Sequence, residues 1–272
     1  MASGQSVAVA DDRGATAPRE ALLELVDVHK RFGGVAALRG VSFSVFTGEV
    51  LGLIGPNGSG KSTCVNVISG LLAPTSGSIR FLGGATAGLG VDRMVERGLA
   101  RTFQTTSVFT EFTAIENVLA ASHSRFRIGA ARSMLGRGAA AREEAGLRER
   151  GAQILGLVGL DGSADVAAAS LSSAQQRLLM IANALATEPR LLLLDEPAAG
   201  MVASERKALA SLILRIRDRG VGVLVIEHHM GLIMEVCDRI VVLNFGEKIA
   251  QGARAEIGRD PRVIEAYLGQ AH

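Results

Sequence analysis

Gly55-Pro56-Asn57-Gly58-Ser59-Gly60-Lys61-Ser62-Thr63 follows the apolar run Val50-Leu51-Gly52-Leu53-Ile54 and precedes Cys64-Val65-Asn66-Val67-Ile68, a stretch of helical character. A glycine-rich turn that ends in Lys-Ser-Thr between a buried strand and a helix is a phosphate-binding loop. The spacing has a mechanical reason. Glycines at 55, 58 and 60 let backbone N–H groups turn inward around an anion, Lys61 reaches the β and γ oxygens, and the Ser62 hydroxyl is placed to ligate Mg²⁺. The helix that follows points its positive N-terminal end at the same anion.

The rest of the 272 residues allows a single large domain or two modest ones, and 48% hydrophobic residues supply material for a core. With 29 basic against 27 acidic residues the net charge is +2, so no global field calls for nucleic acid. Cys64 and Cys237 are far apart, each in an apolar stretch, which predicts buried thiols in a reducing compartment rather than a disulfide. Asp11 and Asp12 interrupt the N-terminal segment where a signal peptide needs apolar residues, and no run reaches the 18 or more of a spanning helix. Any membrane link is therefore expected to go through a partner.

Residues 1–20 are small, polar and aperiodic and predict a flexible tail ahead of one domain over 21–272. Leu22-Leu23-Glu24-Leu25-Val26, Val41-Ser42-Phe43-Ser44-Val45 and Ser78-Ile79-Arg80-Phe81-Leu82 read as strands of an antiparallel subdomain around the phosphate loop. From about 114 to 186 alanine, arginine and glutamate dominate, with helical spacing at Ile154, Leu155, Leu157, Val158 and Leu160, which predicts an inserted α-helical subdomain. Strand-like runs return at Leu191-Leu192-Leu193-Leu194, Gly222-Val223-Leu224-Val225-Ile226 and Ile240-Val241-Val242-Leu243, separated by helix-length segments 203–219 and 230–238. A last helix is expected around Pro261 to Leu268. The fold class that results is α/β, a P-loop nucleotide-hydrolase core with a mostly parallel sheet, an N-terminal antiparallel β subdomain and the helical insertion.

Asp195 and Glu196 end the run 191–194, at the rim where open α/β sheets bind ligands. Asp195 is the candidate metal-holding carboxylate and Glu196 the candidate base that polarises an attacking water. His228, in Ile226-Glu227-His228-His229, leaves another apolar strand on the same rim and is a candidate γ-phosphate contact, although a lone histidine there also serves as a plain polar exit residue.

In the order and spacing of five motifs the chain resembles the ATP-binding subunits of ABC transporters from Leu22 onward. The motifs are the loop 55–63, the glutamine of Arg101-Thr102-Phe103-Gln104, the signature-like Leu171-Ser172-Ser173-Ala174-Gln175-Gln176-Arg177, the pair Asp195-Glu196, and His228. The resemblance implies that ATP and Mg²⁺ bind, that Gln104 contacts Mg²⁺ and senses its site, and that Glu196 assists the water. It also implies that His228 stabilises the γ-phosphate and that Phe32, in Lys30-Arg31-Phe32-Gly33, stacks on adenine. Ser172, Ala174 and Gln175 are implied to face ATP held by a second ATPase subunit.

Within the family Asp195-Glu196-Pro197-Ala198-Ala199-Gly200-Met201, Ile226-Glu227-His228, the long segment after Gln104 and the ending Glu265-Ala266-Tyr267-Leu268-Gly269 look most like subunits that energise uptake of branched-chain amino acids. Membrane permease subunits at the cytoplasmic face of the inner membrane, and indirectly a solute-binding protein, are the implied partners. A soluble ABC-type ATPase and a regulatory subunit with weak hydrolysis are the competing readings.

Several positions depart from the family pattern. Ala174 stands where glycine is usual, adding a methyl group and disfavouring positive φ. Val202 replaces an aspartate or asparagine that communicates across the dimer, and Asn183 replaces an arginine. Slower hydrolysis is the expectation, and where a second, different ATPase subunit pairs with this chain in place of an identical copy, the two sites need not be equivalent. The segment 122–142 carries Arg125, Arg127, Arg132, Arg137 and Arg142 without an acidic residue, as a solvated face or a contact to head groups or a membrane partner. Phe109 and Phe112 are read either as permease-docking residues or as packing in the helical subdomain.

Overall fold

In a computed structural model, the described residues are 20–102, 108–123 and 137–268. In chain order the first elements are β1 (Ala21–Phe32), β2 (Val35–Phe46), β3 (Val50–Ile54), α1 (Lys61–Ile68), β4 (Ser76–Phe81), β5 (Gly84–Ala85), α2 (Val91–Glu96) and β6 (Leu99–Thr102). Next come α3 (Ala114–His123), α4 (Arg137–Val158) and α5 (Ser173–Ala186). The chain returns to strands with β7 (Leu191–Asp195), α6 (Ala203–Asp218), β8 (Gly222–Ile226), α7 (Met230–Val236), β9 (Arg239–Asn244) and β10 (Glu247–Ala253), and closes with α8 (Arg254–Ile257) and α9 (Pro261–Leu268).

Two sheets result. Strands β2-β1-β4-β5 form an antiparallel sheet, and β10-β9-β3-β8-β7-β6 form a six-stranded sheet that is parallel except for the edge strand β10. Every residue of β3, β7 and β8 is buried, which is why these strands read as uninterrupted apolar runs. Within the runs the two faces still part by period two. Val50, Ile54, Leu192, Leu194, Val223 and Val225 join a core beneath α5, α6 and α7, whereas Leu51, Leu53, Leu191, Leu193 and Leu224 join a second core shared with α1 and the antiparallel sheet.

The central strands match their predicted spans, while β1 and β2 run much further than the short segments first read. Polar residues hide their ends: Asp27, at φ 50°, and shifts of register interrupt the alternation of β1, and Gly33-Gly34 turns the hairpin. Among the described residues, the insertion contributes α3, α4 and α5, packed on one another. Leu155 and Val158 are buried on α4 as their spacing predicts, but Leu160 lies past the helix end. There Gly159, at φ 80°, donates to Gly156 O (3.2 Å) and Leu160 donates to Leu155 O (2.8 Å), a Schellman stop in which the apolar residue folds back onto the helix it follows. Both cysteines are buried free thiols, and burial pushes Cys64 up to about 12 and raises Cys237 as well. No helix among the described residues is long and apolar enough to cross a membrane.

Candidate functional site

The register of three neighbouring strands assembles the site. Leu53 of β3 pairs with Ile226 of β8, and Ile226 pairs with Asp195 of β7, so three chain segments leave the sheet side by side at its carboxyl edge. They are the loop 55–63, Glu227-His228, and Glu196-Pro197. The next strand, β6, reaches the same edge with Thr102 opposite Leu194. Gln104, three residues from Arg101, lies outside the described residues, as do the tail 1–19 and most of the arginine-rich segment.

The loop's glycines are required by contact as well as by turn. A Cβ on Gly55 would stand 2.1 Å from Leu243 O, and one on Gly60, at φ 102°, would stand 2.6 Å from Ala37 O of β2. The loop is therefore wedged between β9 and the hairpin β1-β2. Pro56 and Ser59 are buried while Asn57 and Gly58 are exposed at the crest. Ser59 donates its N–H to Pro56 O (3.2 Å) and accepts from Gly246 N–H (3.0 Å). Lys61 Nζ donates to Gly55 O (2.6 Å) and Pro56 O (2.9 Å), so the ammonium spans the mouth of the loop. Burial lowers its pKa, and the carboxylates of Glu196 and Asp195 act in the opposite direction. No side chain caps the start of α1, the Ser62 hydroxyl belongs to an exposed residue, and Thr63 follows it half-buried.

Asp195 does not stand alone. Its Oδ2 accepts from Arg101 Nη2 at 2.9 Å, with side chains only 3% and 9% exposed. The same guanidinium donates through Nη1 to Asn66 Oδ1 (2.7 Å) and Ser69 Oγ (3.3 Å), joining β7 and β6 to the phosphate-loop helix. The sequence alone assigns Arg101 no role beyond its place in Arg101-Thr102-Phe103-Gln104. A charged residue inside a four-residue buried strand was the available signal.

Glu196 has φ 48°, a conformation uncommon for a non-glycine residue, and its side chain is 36% exposed. Its N–H donates to Ile226 O at 2.9 Å, and its carbonyl accepts from Arg177 Nη1 of α5 at 3.4 Å. His228 Nδ1 lies 3.9 Å from Glu196 Oε1 and the same distance from Glu227 Oε2. The structure thus brings Lys61, Asp195, Glu196 and His228 to one rim, a half-exposed acid and an exposed imidazole beside a lysine-bearing anion loop.

The signature-like segment is built differently. Ser172 caps α5: its Oγ accepts from Gln175 N–H (3.2 Å), while its own N–H donates to Gln175 Oε1 (2.9 Å). Ala174 lies in the first helical turn, half-buried against the core, so this position does not use positive φ and the alanine fits the local backbone. No hydrogen bond or ion pair among the described residues joins Ser172, Ala174 or Gln175 to the loop 55–63 of the same chain. Val202 is 58% exposed at the start of α6, where its N–H donates to Glu205 Oε2 (2.9 Å). Asn183 is half-buried on α5 and its Oδ1 has no partner among the described residues.

Among the described residues, the three aromatics singled out from the sequence, Phe32, Phe109 and Phe112, all lie at the surface. Phe32 is 48% exposed at the end of β1, with Lys30 Nζ 5.1 Å from its ring centre, so it does not cap the core. Phe109 and Phe112 are likewise exposed, their ring centres 5.2 Å apart, which removes core packing as their explanation. Beneath them buried Asn117 accepts from Phe109 N–H (2.8 Å) and donates to the carbonyls of Phe109 (3.0 Å) and Thr113 (3.0 Å). Sequence reasoning missed Asn117, whose amide fixes the loop that displays the pair.

A lysine-bearing phosphate loop, paired carboxylates and a histidine on adjacent parallel strands define a P-loop nucleotide hydrolase. A family model described as "ABC transporter" matches residues 38–199, and one described as "Branched-chain amino acid ATP-binding cassette transporter" matches 247–272. The chain belongs to the ABC transporter family, as an ATP-hydrolysing cassette subunit whose turnover is coupled to transport.

It is 41% identical over 251 residues to the high-affinity branched-chain amino acid transport ATP-binding protein BraF of Pseudomonas aeruginosa, covering 92% of this chain and 98% of that one. Against LivG of Escherichia coli, of the same description, identity is 38% with the same coverage. Among solved structures, MJ1267, an ATP-binding cassette of an ABC transporter in its ADP conformation, superposes with TM-score 0.80 at 31% identity, over 92% of this chain and all of that one. A dimeric post-hydrolysis state of the cassette MJ0796 bound to ADP and Pi gives 0.72 at 29% identity, over 85% and 98%.

Proposed function

We propose that the chain energises import of branched-chain amino acids or closely related solutes, working as a Mg²⁺-dependent ATPase in a dimer held on membrane permease subunits at the cytoplasmic face. The observation that carries the chemical reading is the row Leu53–Ile226–Asp195, which starts the phosphate loop, the His228 segment and the Glu196 segment from one edge. The solute class rests on the likeness to BraF and LivG and on the C-terminal match at 247–272.

The residues fit ATP with Mg²⁺. The start of α1 has no side-chain cap, so its N–H groups are open to phosphate, and the Ser59 hydroxyl is buried in the loop without a partner among the described residues. Ser62, Asp195 and, from the family resemblance, Gln104 are the groups to hold the metal. Mg²⁺ supplies neutralisation of charge on the β and γ oxygens when bound with the nucleotide. Lys61 exchanges its loop carbonyls for phosphate oxygens and holds the chain of phosphates in line. Glu196 accepts a hydrogen bond from the attacking water and orients it, and His228, whose Nδ1 lies 3.9 Å from that carboxylate, is the contact for the γ-phosphate.

Phe32 offers an exposed face for adenine on a hairpin already pressed against the loop at Gly60. The capped, exposed N-terminus of α5, with Ser172, Ala174 and Gln175, suits the nucleotide of a facing subunit. The rigidly displayed pair Phe109 and Phe112 suits a permease surface.

Co-purification of the chain with its permease, followed by reconstitution, tests the whole reading. Branched-chain amino acid and its binding protein should together stimulate phosphate release, and stimulation by an unrelated solute instead would overturn the solute class. Ala174→Gly should lower stability by about 0.5–1 kcal/mol, because glycine loosens the first turn of α5. It should also raise turnover in the assembled transporter by removing the methyl group; unchanged turnover would acquit the methyl.

A further inference from the structure

Glu227 is the most buried carboxylate near the rim, its side chain 1% exposed, and the reading above gives it no task. Among the described residues it has no lysine or arginine partner. Backbone amides meet its charge instead: Ala198 N–H donates to Oε1 at 2.9 Å, and the N–H groups of His228 and His229 donate to Oε2 at 3.1 Å each. Burying an ion costs heavily unless such bonds compensate it. Two of the three bonds are local, and the third crosses to the segment that carries Glu196.

That third bond completes a pair. Glu196 is tied to β8 by its own N–H on Ile226 O (2.9 Å), and two residues later Ala198 is tied to Glu227, the residue after Ile226. Pro197 stands between the ties. The short stretch that contains the left-handed Glu196 backbone, at φ 48°, is thus fastened at both ends to the root of the His228 segment. Strained backbone persists where surrounding bonds over-determine it, and these two bonds do so.

We propose that Glu227 is a positioning residue: by accepting N–H bonds from Ala198 on one side and His228 and His229 on the other, it holds Glu196 in its left-handed conformation and fixes its separation from His228. The inference rests on the roles given above to Glu196 and His228. A change at Glu227 lets residues 196–198 relax, and the Glu196 carboxylate then leaves its place opposite the imidazole. Nucleotide capture by the loop 55–63 does not depend on that tie.

The test uses the full chain in its assembled transporter. Glu227→Gln keeps the shape but leaves one acceptor oxygen for bonds on two sides. Glu227→Asp keeps a carboxylate but is one methylene too short to serve its own neighbours and Ala198 together. Both should lower kcat by roughly 100-fold, the penalty of an ångström-scale misplacement, with the affinity for a non-hydrolysable ATP analogue unchanged. Hydrogen exchange at the Ala198 amide should quicken in Glu227→Asp. In a Glu196→Gln background neither change should lower the residual turnover further, because the tie acts through Glu196.

Normal kcat in both variants, multiplicative losses with Glu196→Gln, or analogue affinity falling in step with kcat would each overturn the proposal. If Glu227→Gln does not fold, Glu227→Asp and the Ala198 exchange decide. Glu196→Gln measured alone separates the two levels. Full activity there removes the base assignment itself, whereas an inactive Glu196→Gln beside active Glu227 variants removes only the tie.

Discussion

Glu196→Gln lowers ATP turnover by about 10²–10⁴-fold while ATP still binds, the span associated with loss of a positioned general base. Glutamine has the shape of glutamate, so the backbone at φ 48° and its N–H bond to Ile226 O are retained. What is lost is the ability to draw a proton from water. The phosphate loop and Lys61 are untouched, so the triphosphate is expected to be captured but not cleaved, and the proposed ATP-bound dimer should accumulate. Steady-state phosphate release, equilibrium binding of a fluorescent ATP analogue and the oligomeric state in ATP give the three readouts. Wild-type turnover in this variant would move the base to another residue.

Arg101→Met is expected to act through stability as well as chemistry. The guanidinium and Asp195 are both buried, and removing one member of a buried pair leaves an uncompensated charge, at a cost of about 3–5 kcal/mol. The Asn66 and Ser69 bonds disappear with it, so β6, β7 and α1 lose their common fastening. For a chain of this size the change corresponds to a fall in Tm on the order of 10 °C. Thermal and urea unfolding of the isolated chain measure it. Replacing Asp195 by leucine in the same variant should recover much of the stability, since an apolar pair carries no desolvation penalty, yet it removes the carboxylate proposed for Mg²⁺. A single variant as stable as wild type would show that the pair is not sheltered from water.

The contrast between Arg101 and Lys61 shows what the sequence made legible. Lys61 sits in a spaced pattern whose every glycine has a mechanical reason, and the flanking runs 50–54, 191–194 and 222–226 are apolar throughout because parallel strands with both faces covered must be. The phosphate loop, Asp195-Glu196 and His228 could therefore be put on one rim before any coordinates. Arg101 lies in a strand of only four residues, Leu99–Thr102, and three of its partners, Asn66, Ser69 and Asp195, are 35, 32 and 94 positions away. No local period encodes such contacts. Glu227 is hidden for a related reason, since its bonds go to backbone amides and leave no complementary side chain to notice.

Edge elements were also missed. β10 is half exposed and β5 has two residues, so neither produces alternation long enough to read. Ala174 gave the opposite kind of error. The family pattern suggested a need for positive φ, and the helical start of α5 shows that no such need exists at this position.

The paired row Leu53–Ile226–Asp195 divides the protein into a ruler and its riders. Neighbouring strands are held about 4.8 Å apart by their ladders, whatever the helices around them do. The starting points of the phosphate loop, of His228 and of Glu196 therefore share one rigid scale, and no closing motion can change their order or spacing at the root. Among the described residues, α5 and the loop displaying Phe109 and Phe112 belong to no ladder of this sheet, and α5 reaches a strand end through the side-chain bond from Arg177 to Glu196 O. On the proposed roles, cleavage geometry is graduated into the sheet, and control of its timing falls to the parts outside the ladders.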